Sequence, residues 1–356
     1  MLAAAAQAIG LWATLAAALL APVQAQAQAQ AQAQSQSQSQ SQSIVAAPET
    51  LVPATSRWPD RPIRLVVPAP QGGDADPLAG PLAAALGRQL GQAVVLDYRP
   101  GLGGNFGAEI VASSRADGYT FLLGSVEQVI AASLQPRAAY DPQQDLAPVT
   151  LLAVAPGVLV VSAAQDSIAD VADLVRQQRA NPARSSYASA GSGSLSHLAA
   201  ERYLQATATG ATHRPYRGTT AALAALQAGQ VDFMVAPLGL ALPAIRDGKL
   251  RALAVTGGSR SFALPSVPTL AQAGVGGIQL QAWYALWSPA GTPAAINLAM
   301  QQGVAAVLDQ KDMVDVWNRL GAERGGQPHH VLGLLVRSEV LKWSQTIKAL
   351  GIGPNQ

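Results

Sequence analysis

Cysteine is absent from this chain. Its absence removes disulfide scaffolds, thiolate metal sites and cysteine nucleophiles together. It selects no compartment, because a cysteine-free protein suits oxidising and reducing surroundings equally. Charge is also scarce: 12% of residues are Asp, Glu, Lys or Arg, about half the globular norm. The 23 Lys and Arg against 21 Asp and Glu leave a net charge of +2. No basic stripe or cluster appears, so nucleic acid is excluded as an expected partner. The pI near 9.0 reflects only that small surplus. Lys and Arg are missing altogether before Arg57, where Glu49 is the lone charge. What is abundant is apolar sequence. A hydrophobic fraction of 49% over 356 residues suffices for two lobes of ordinary domain size.

Residues 8–22 read AIGLWATLAAALLAP. This run has the length of a signal-peptide core and is short for a spanning helix, which needs about 20 apolar residues. Val23-Gln24-Ala25 supplies a small-x-small cleavage site. A positive leader is missing, so an uncleaved N-terminal anchor is the competing reading. The segment 1–25 is expected to be a signal peptide. Ala-Gln and then Ser-Gln repeats follow as far as Ser43. Such a tract has no apolar face to repay its ordering entropy, so 26–57 is expected to be a disordered tether. A glutamine-rich interaction segment is the alternative there.

From residue 58 the pattern alternates. Short β-rich runs occur at Ile63–Val67, Ala93–Tyr98, Thr120–Gly124, Val158–Ser162, Ser186–Ser189, Val231–Val235 and Leu250–Thr256. Helical patterns lie between them. Ser167 precedes one, with Asp170 in capping-box position and Ile168, Val171, Leu174 and Val175 on one face. Thr219–Ala228 stops at Gly229, and Thr292-Pro293 opens a helix toward Asp309. Two more end at Gly321 and Gly351. The strands are nearly continuous in apolar residues, as when both faces are buried. The reading is an α/β architecture with doubly wound, mainly parallel sheets, whose ligands bind beyond the carboxyl ends of strands.

Three loops at those ends carry the candidate chemistry. PAPQGGDADP, 68–77, leaves the first strand. Its paired glycines allow close backbone approach, and Asp76-Pro77 could cap the next helix. Pro81 suggests that regular helix starts only there. A plain strand-to-helix turn is the alternative. RPGLGGNFG, 99–107, invites a dinucleotide reading, but Phe106 stands where GxGxxG requires glycine. SAGSGSLSH, 189–197, opens a helix with hydroxyls and glycines that suit an anion or amide. Its serines miss the GxSxG elbow at Ala190 and Ser196. Ser194 and His197 are within reach of each other but lack an orienting acid. His213 reads as structural, and His329-His330 complete no metal spacing. No cofactor and no metal site is expected.

Taken in order, these loops and the blocks around them resemble the Bug/TctC-type receptors of tripartite tricarboxylate transporters. The likeness runs through WPDRPIRLVVPAPQGGDAD, VVLDYRPGLGGNFGAEIVA, ADGYTFLLGS and YDPQQDLAPVTLLA. It continues through YASAGSGSLSHLAAE, HRPYRG, LQAGQVDFM, DGKLRALAVTGGSRSFALPSVPTLAQAG and SPAGTP. It covers essentially all of 58–356. The resemblance implies a two-lobed periplasmic-binding-protein-like fold of type II with a central cleft. Lobe 1 would comprise 58–155 and 284–356, and lobe 2 156–283, with crossovers near Pro156 and Tyr284. It implies an exported, periplasmic, monomeric receptor that presents a small carboxylate, amino acid or amide to membrane permease subunits. The ligand would meet Ala69, Gly72, Gly73 and Asp76, then Ser125, and across the cleft Ser189, Ala190, Gly191, Ser194 and His197. Backbone N–H groups would hold it in place of arginine clamps. The rival readings are a serine hydrolase or dinucleotide-dependent oxidoreductase on an α/β fold, and a ligand-sensing partner subunit.

Three positions depart from the family pattern. Ala69 replaces an aromatic and should loosen the cleft. Ala236-Pro237 removes a polar contact. Asp74 stands where a small neutral residue is usual. A ligand carboxylate about 5 Å from Asp74 would be opposed by roughly 3 kcal/mol at an effective dielectric of about 20. Either Asp74 points to solvent, or the ligand is neutral, amide-like or amine-bearing. Titration with dicarboxylates, amino acids and aromatic amides decides between them: repulsion predicts that Asp74→Ala improves dicarboxylate binding. Tight binding by the wild type, unimproved in the variant, would sink the repulsion.

Overall fold

The computed structural model describes residues 58–73, 75–134 and 139–353. The expected signal peptide, the tether and Asp74 lie outside them. Three β-α units come first: β1 (Ile63–Val67), α1 (Asp76–Leu90), β2 (Val94–Tyr98), α2 (Asn105–Ala112), β3 (Thr120–Ser125) and α3 (Val126–Leu134). The long β4 (Leu146–Ser162) follows, then α4 (Val171–Ala180), β5 (Ser186–Ser189), α5 (Leu195–Thr207), β6 (Thr212–Pro215) and α6 (Thr219–Gln227). After these come β7 (Phe233–Pro237), α7 (Leu238–Arg246), β8 (Leu250–Val255) and β9 (Gln281–Pro289). The chain closes with α8 (Ala294–Leu308), α9 (Lys311–Leu320), β10 (Glu323–Arg324) and α10 (His329–Leu350).

The strand path runs β2-β1-β3-β9-β4-β7-β5-β6, with β8 and β10 also on β4. Parallel strand pairs form the outer parts, β2-β1-β3 on one side and β7-β5-β6 on the other. The central strands pair antiparallel, so each lobe's sheet is mixed. β4 belongs to both. As far as Pro156 it pairs with β9, ending at Pro156 against Gln281. From Gly157 onward it pairs with β7 and, on its other edge, with β8.

Proline explains how β4 can do this. Pro156 has no N–H to offer a ladder, so it sits where partners are exchanged. The Gly157 N–H goes to the Thr256 hydroxyl at 2.8 Å instead of to a strand. Pro148 marks a register shift against β9, the other place where a sheet tolerates proline. β9 begins pairing at Gln281, three residues ahead of Tyr284.

Side-chain alternation accounts for the continuously apolar strands. Ile63, Leu65 and Val67 face a core that contains Leu78, Phe121, Leu123, Val304 and Trp317. Val66 and Leu122 point the other way, into a core shared with Trp283 and Trp343. In β4, Leu159 and Val161 join that second core, while Val158 and Val160 enter a third with Met234 and Leu250.

Several helix ends differ from expectation. Asp170, not Ser167, caps α4, its side chain accepting the Asp173 N–H at 2.9 Å. α1 begins at Asp76 and carries Pro81 inside it, because the buried row Leu78, Leu82 and Leu86 holds the turn despite one lost bond. α8 opens one residue later than expected, with Pro293 at the cap. α9 and α10 stop at Gly321 and Gly351 in the left-handed conformation.

α10 packs on α3, β4 and α5, elements from both sides of the exchange point. Its Trp343 is fully buried, and the indole N–H donates to Glu339 at 2.7 Å. Trp343→Ala is expected to cost about 3–5 kcal/mol in urea unfolding. Leu341→Ala, on the exposed side of the same helix, should cost under about 0.5 kcal/mol. Equal costs would remove α10 from the core.

Candidate functional site

A cleft of about 760 Å³ opens at the carboxyl ends of the strands. This volume lies within the range of small-molecule pockets. Its walls are the loops after β1, β2 and β3 on one side and after β5 and β6 on the other. Thr256, Leu280 and Tyr284 also border it.

On the first wall, Ala69, Gly72 and Gly73 line the cleft. The turn is tight. The Gly73 N–H reaches the Pro70 carbonyl at 3.0 Å, and a Cβ at Gly73 would lie 2.8 Å from that oxygen. Asp76 is not a lining residue. Its carboxylate accepts the Gly72 N–H at 2.9 Å and the Tyr98 hydroxyl. Burial, the hydrogen bond to Asp76 and its charge push the Tyr98 phenol up to about 12. Asp76 therefore ties the glycine loop to β2. The glycine-rich loop after β2, which the dinucleotide reading had put in question, contributes Gly101, Gly103 and Gly104 to the same wall. Ser125 lines the cleft, and its N–H donates to the Gln128 side chain at 2.5 Å.

On the second wall, Ala190, Gly191 and Ser194 line the cleft, while Ser189 and His197 sit behind it. The loop satisfies most of its own donors. Ala190 N–H goes to Ser196 Oγ at 2.9 Å, and Gly191 N–H to Ser189 Oγ at 3.2 Å. Gly193 N–H reaches His197 Nδ1 at 3.0 Å, and His197 N–H reaches Ser194 Oγ at 3.3 Å. Ser194 Oγ donates to the Gly191 carbonyl at 2.7 Å. Ser194 and His197 thus meet through backbone and do not form a nucleophile–base pair. The nearest Ser–His contact is Ser189 Oγ to His213 Nε2 at 2.6 Å, but Ser189 is fully buried and off the cleft.

Two imidazoles support this loop. His197 and His213 stack 3.9 Å apart at 6°, with Tyr187 4.9 Å from His213. Burial lowers the pKa of His197. Burial, and then the neighbouring His197, push His213 down to about 4 against a small opposing pull from Glu201. Both rings are neutral at pH 7, and the Gly193 bond requires an unprotonated Nδ1.

Composition gave no sign of two further lining residues, Glu127 and Arg217. They are the charged residues among the described lining positions. Glu127 Oε1 accepts the Leu195 N–H at 3.1 Å, from the opposite wall. An acid in a helix's first turn is ordinary in sequence, so nothing singled it out. Ala236 and Pro237 also line the cleft. Among the described residues no cluster of three or more acids and histidines could hold a metal, and no helix is long and apolar enough to cross a membrane.

The model of the tripartite tricarboxylate transporter family receptor matches residues 78–352. The protein BugT of Bordetella pertussis is 33% identical over 83% of this chain and 90% of its own. Among solved structures, Rpa4515 of R. palustris with adipate is 35% identical at a TM-score of 0.77, covering 83% of this chain and 99% of that one. MatC (Rpa3494) from Rhodopseudomonas palustris with bound malate is 32% identical at a TM-score of 0.75, covering 82% and 100%.

The histidine pair gives a signed prediction. Both folded-state pKa values lie below the unfolded value of about 6.5. The neutral pair's contribution is therefore complete above about 6.5 and is lost as pH falls toward about 4. Thermal midpoints measured from pH 7 to 4.5 should drop in the wild type and drop less steeply in His213→Phe. Parallel slopes would show that the stack does not titrate in this window.

Proposed function

The chain belongs to the tripartite tricarboxylate transporter receptor family, and on that footing we propose that its cleft captures a small organic carboxylate between the two lobes. The observation that carries this reading is the cleft itself. Glycine loops from both sides of the β4 exchange point converge on it, so a bound molecule touches both walls at once. Closure requires that kind of ligand, because the closed state must gain contacts that the open state lacks. The adipate and malate held by the two R. palustris proteins support the carboxylate class. Ala69, Gly72, Gly73, Ser125, Ala190, Gly191 and Ser194 are the proposed contacts. Asp76, Ser189 and His197 brace the loops behind them, and Asp74 is a further candidate. The proposed lobes are 58–155 with 284–356, and 156–283. We place the protein in the periplasm, exported by its N-terminal segment and acting as a monomer on membrane permease subunits.

A thermal-shift screen of the purified protein against small carboxylates, amino acids and amides tests this. A ligand at about 100 times its Kd adds roughly 2.7 kcal/mol of stability. A cognate ligand should also change tryptophan fluorescence, since Trp283 is buried in β9 beside the exchange point. Ester turnover abolished by Ser194→Ala, with no compound shifting the melting curve, would overturn the receptor reading in favour of a hydrolase.

A further inference from the structure

Glu127 sits in the first turn of α3 on one wall, yet its carboxylate accepts the Leu195 N–H in the first turn of α5 on the other. A helix N-terminus with exposed N–H groups is where a ligand carboxylate gains most. Here that place is taken by a carboxylate of the protein. The loop before α5 also satisfies most of its own donors. The N–H groups of Ala190, Gly191, Gly193, Ser194 and His197 all have acceptors within 189–197. A second ligand carboxylate brought to this end of the cleft would meet the Glu127 carboxylate and few donors to offset it. Arg217 is the one cation among the described lining residues, and its guanidinium makes no hydrogen bond or ion pair among them.

We infer that Glu127 is a specificity-determining residue, which fits the cleft to an organic monocarboxylate whose far end is a hydrogen-bond donor, an amide or ammonium, in place of a second carboxylate. The inference rests on the receptor reading and narrows it. One carboxylate is matched by Arg217, and the donor end is matched by Glu127. A diacid of the same length places like charges together, which costs affinity by about a factor of ten or more in a partly screened site.

The test uses matched pairs: succinate with succinamate, glutarate with glutaramate, and adipate with adipamate. Each is titrated calorimetrically at pH 7.5 into wild type, Glu127→Gln and Arg217→Gln. Glutamine keeps a carbonyl oxygen for the Leu195 N–H, so Glu127→Gln should melt like the wild type without ligand. In the wild type the monoamide of the best-fitting length should bind about tenfold or more tighter than its diacid. Glu127→Gln should bring the two within about threefold, while Arg217→Gln should weaken both alike. A wild type that prefers the diacid, or a preference unchanged in Glu127→Gln, overturns the role of Glu127 and leaves the receptor reading standing. Absence of binding by every compound to every protein overturns the carboxylate reading and this inference with it.

Discussion

The structure depends on one strand serving two sheets. β4 gives its first part to β9 and its last part to β7 and β8. A backbone can change partners only where a ladder bond can be given up at little cost. Pro156 has none to lose, and Gly157 leaves room for a side chain to take its N–H. Thr256 supplies that side chain. Its hydroxyl meets Gly157 N–H and the Leu280 carbonyl, and its backbone N–H reaches the Gly157 carbonyl at 2.9 Å. Three separate stretches of chain are thus joined at one point. Gly157, Thr256 and Leu280 also border the cleft, so the join that unites the two sheets underlies the binding space.

That arrangement explains which parts of the fold were legible in sequence. The parallel outer strands lie between recognisable helices, and the sequence reading of Ile63–Val67 and Ser186–Ser189 has their observed limits. β4 was marked only at 158–162. Its earlier part, LAPVTLLAVAPG, holds two prolines and a glycine that locally signal loops. They sit at a register shift and an exchange point, which are properties of the pairing partner. QAWYALWSP, which the sequence reading leaves unassigned, is a strand through its pairing and burial between β3 and β4. Pro81 shows the same override, since packing of Leu78, Leu82 and Leu86 outweighs one missing hydrogen bond.

The site was legible at the level of loops and less so at the level of residues. Glycine-rich loops after a strand mark places of close approach, and the three singled out, after β1, β2 and β5, all border the cleft. Hydroxyl, imidazole and carboxylate side chains are ambiguous, because they can face a ligand or brace the loop that does. Asp76 braces because Tyr98 arrives from β2, and His197 braces because His213 arrives from β6. Neither partner is near in sequence. Glu127 was invisible for the converse reason: its partner, Leu195, offers only a backbone N–H that any residue would provide.

These bracing contacts bear on how a weakly charged chain can bind anything selectively. A glycine loop left to itself would lose much conformational freedom on meeting a ligand, and that loss would come out of the affinity. Here the loss is taken during folding. Asp76 fixes one loop through Gly72, while Ser189, Ser196 and His197 fix the other through Gly191, Ala190 and Gly193. The same bonds consume donors that a carboxylate would otherwise use. Rigidity of the walls is therefore gained at the expense of their anion-binding capacity. What selects the ligand's charge then falls to the few side chains that still face the space. With Glu127 on one wall and Arg217 on the other, a low overall charge makes each of them count for more, since few neighbouring charges blur its field.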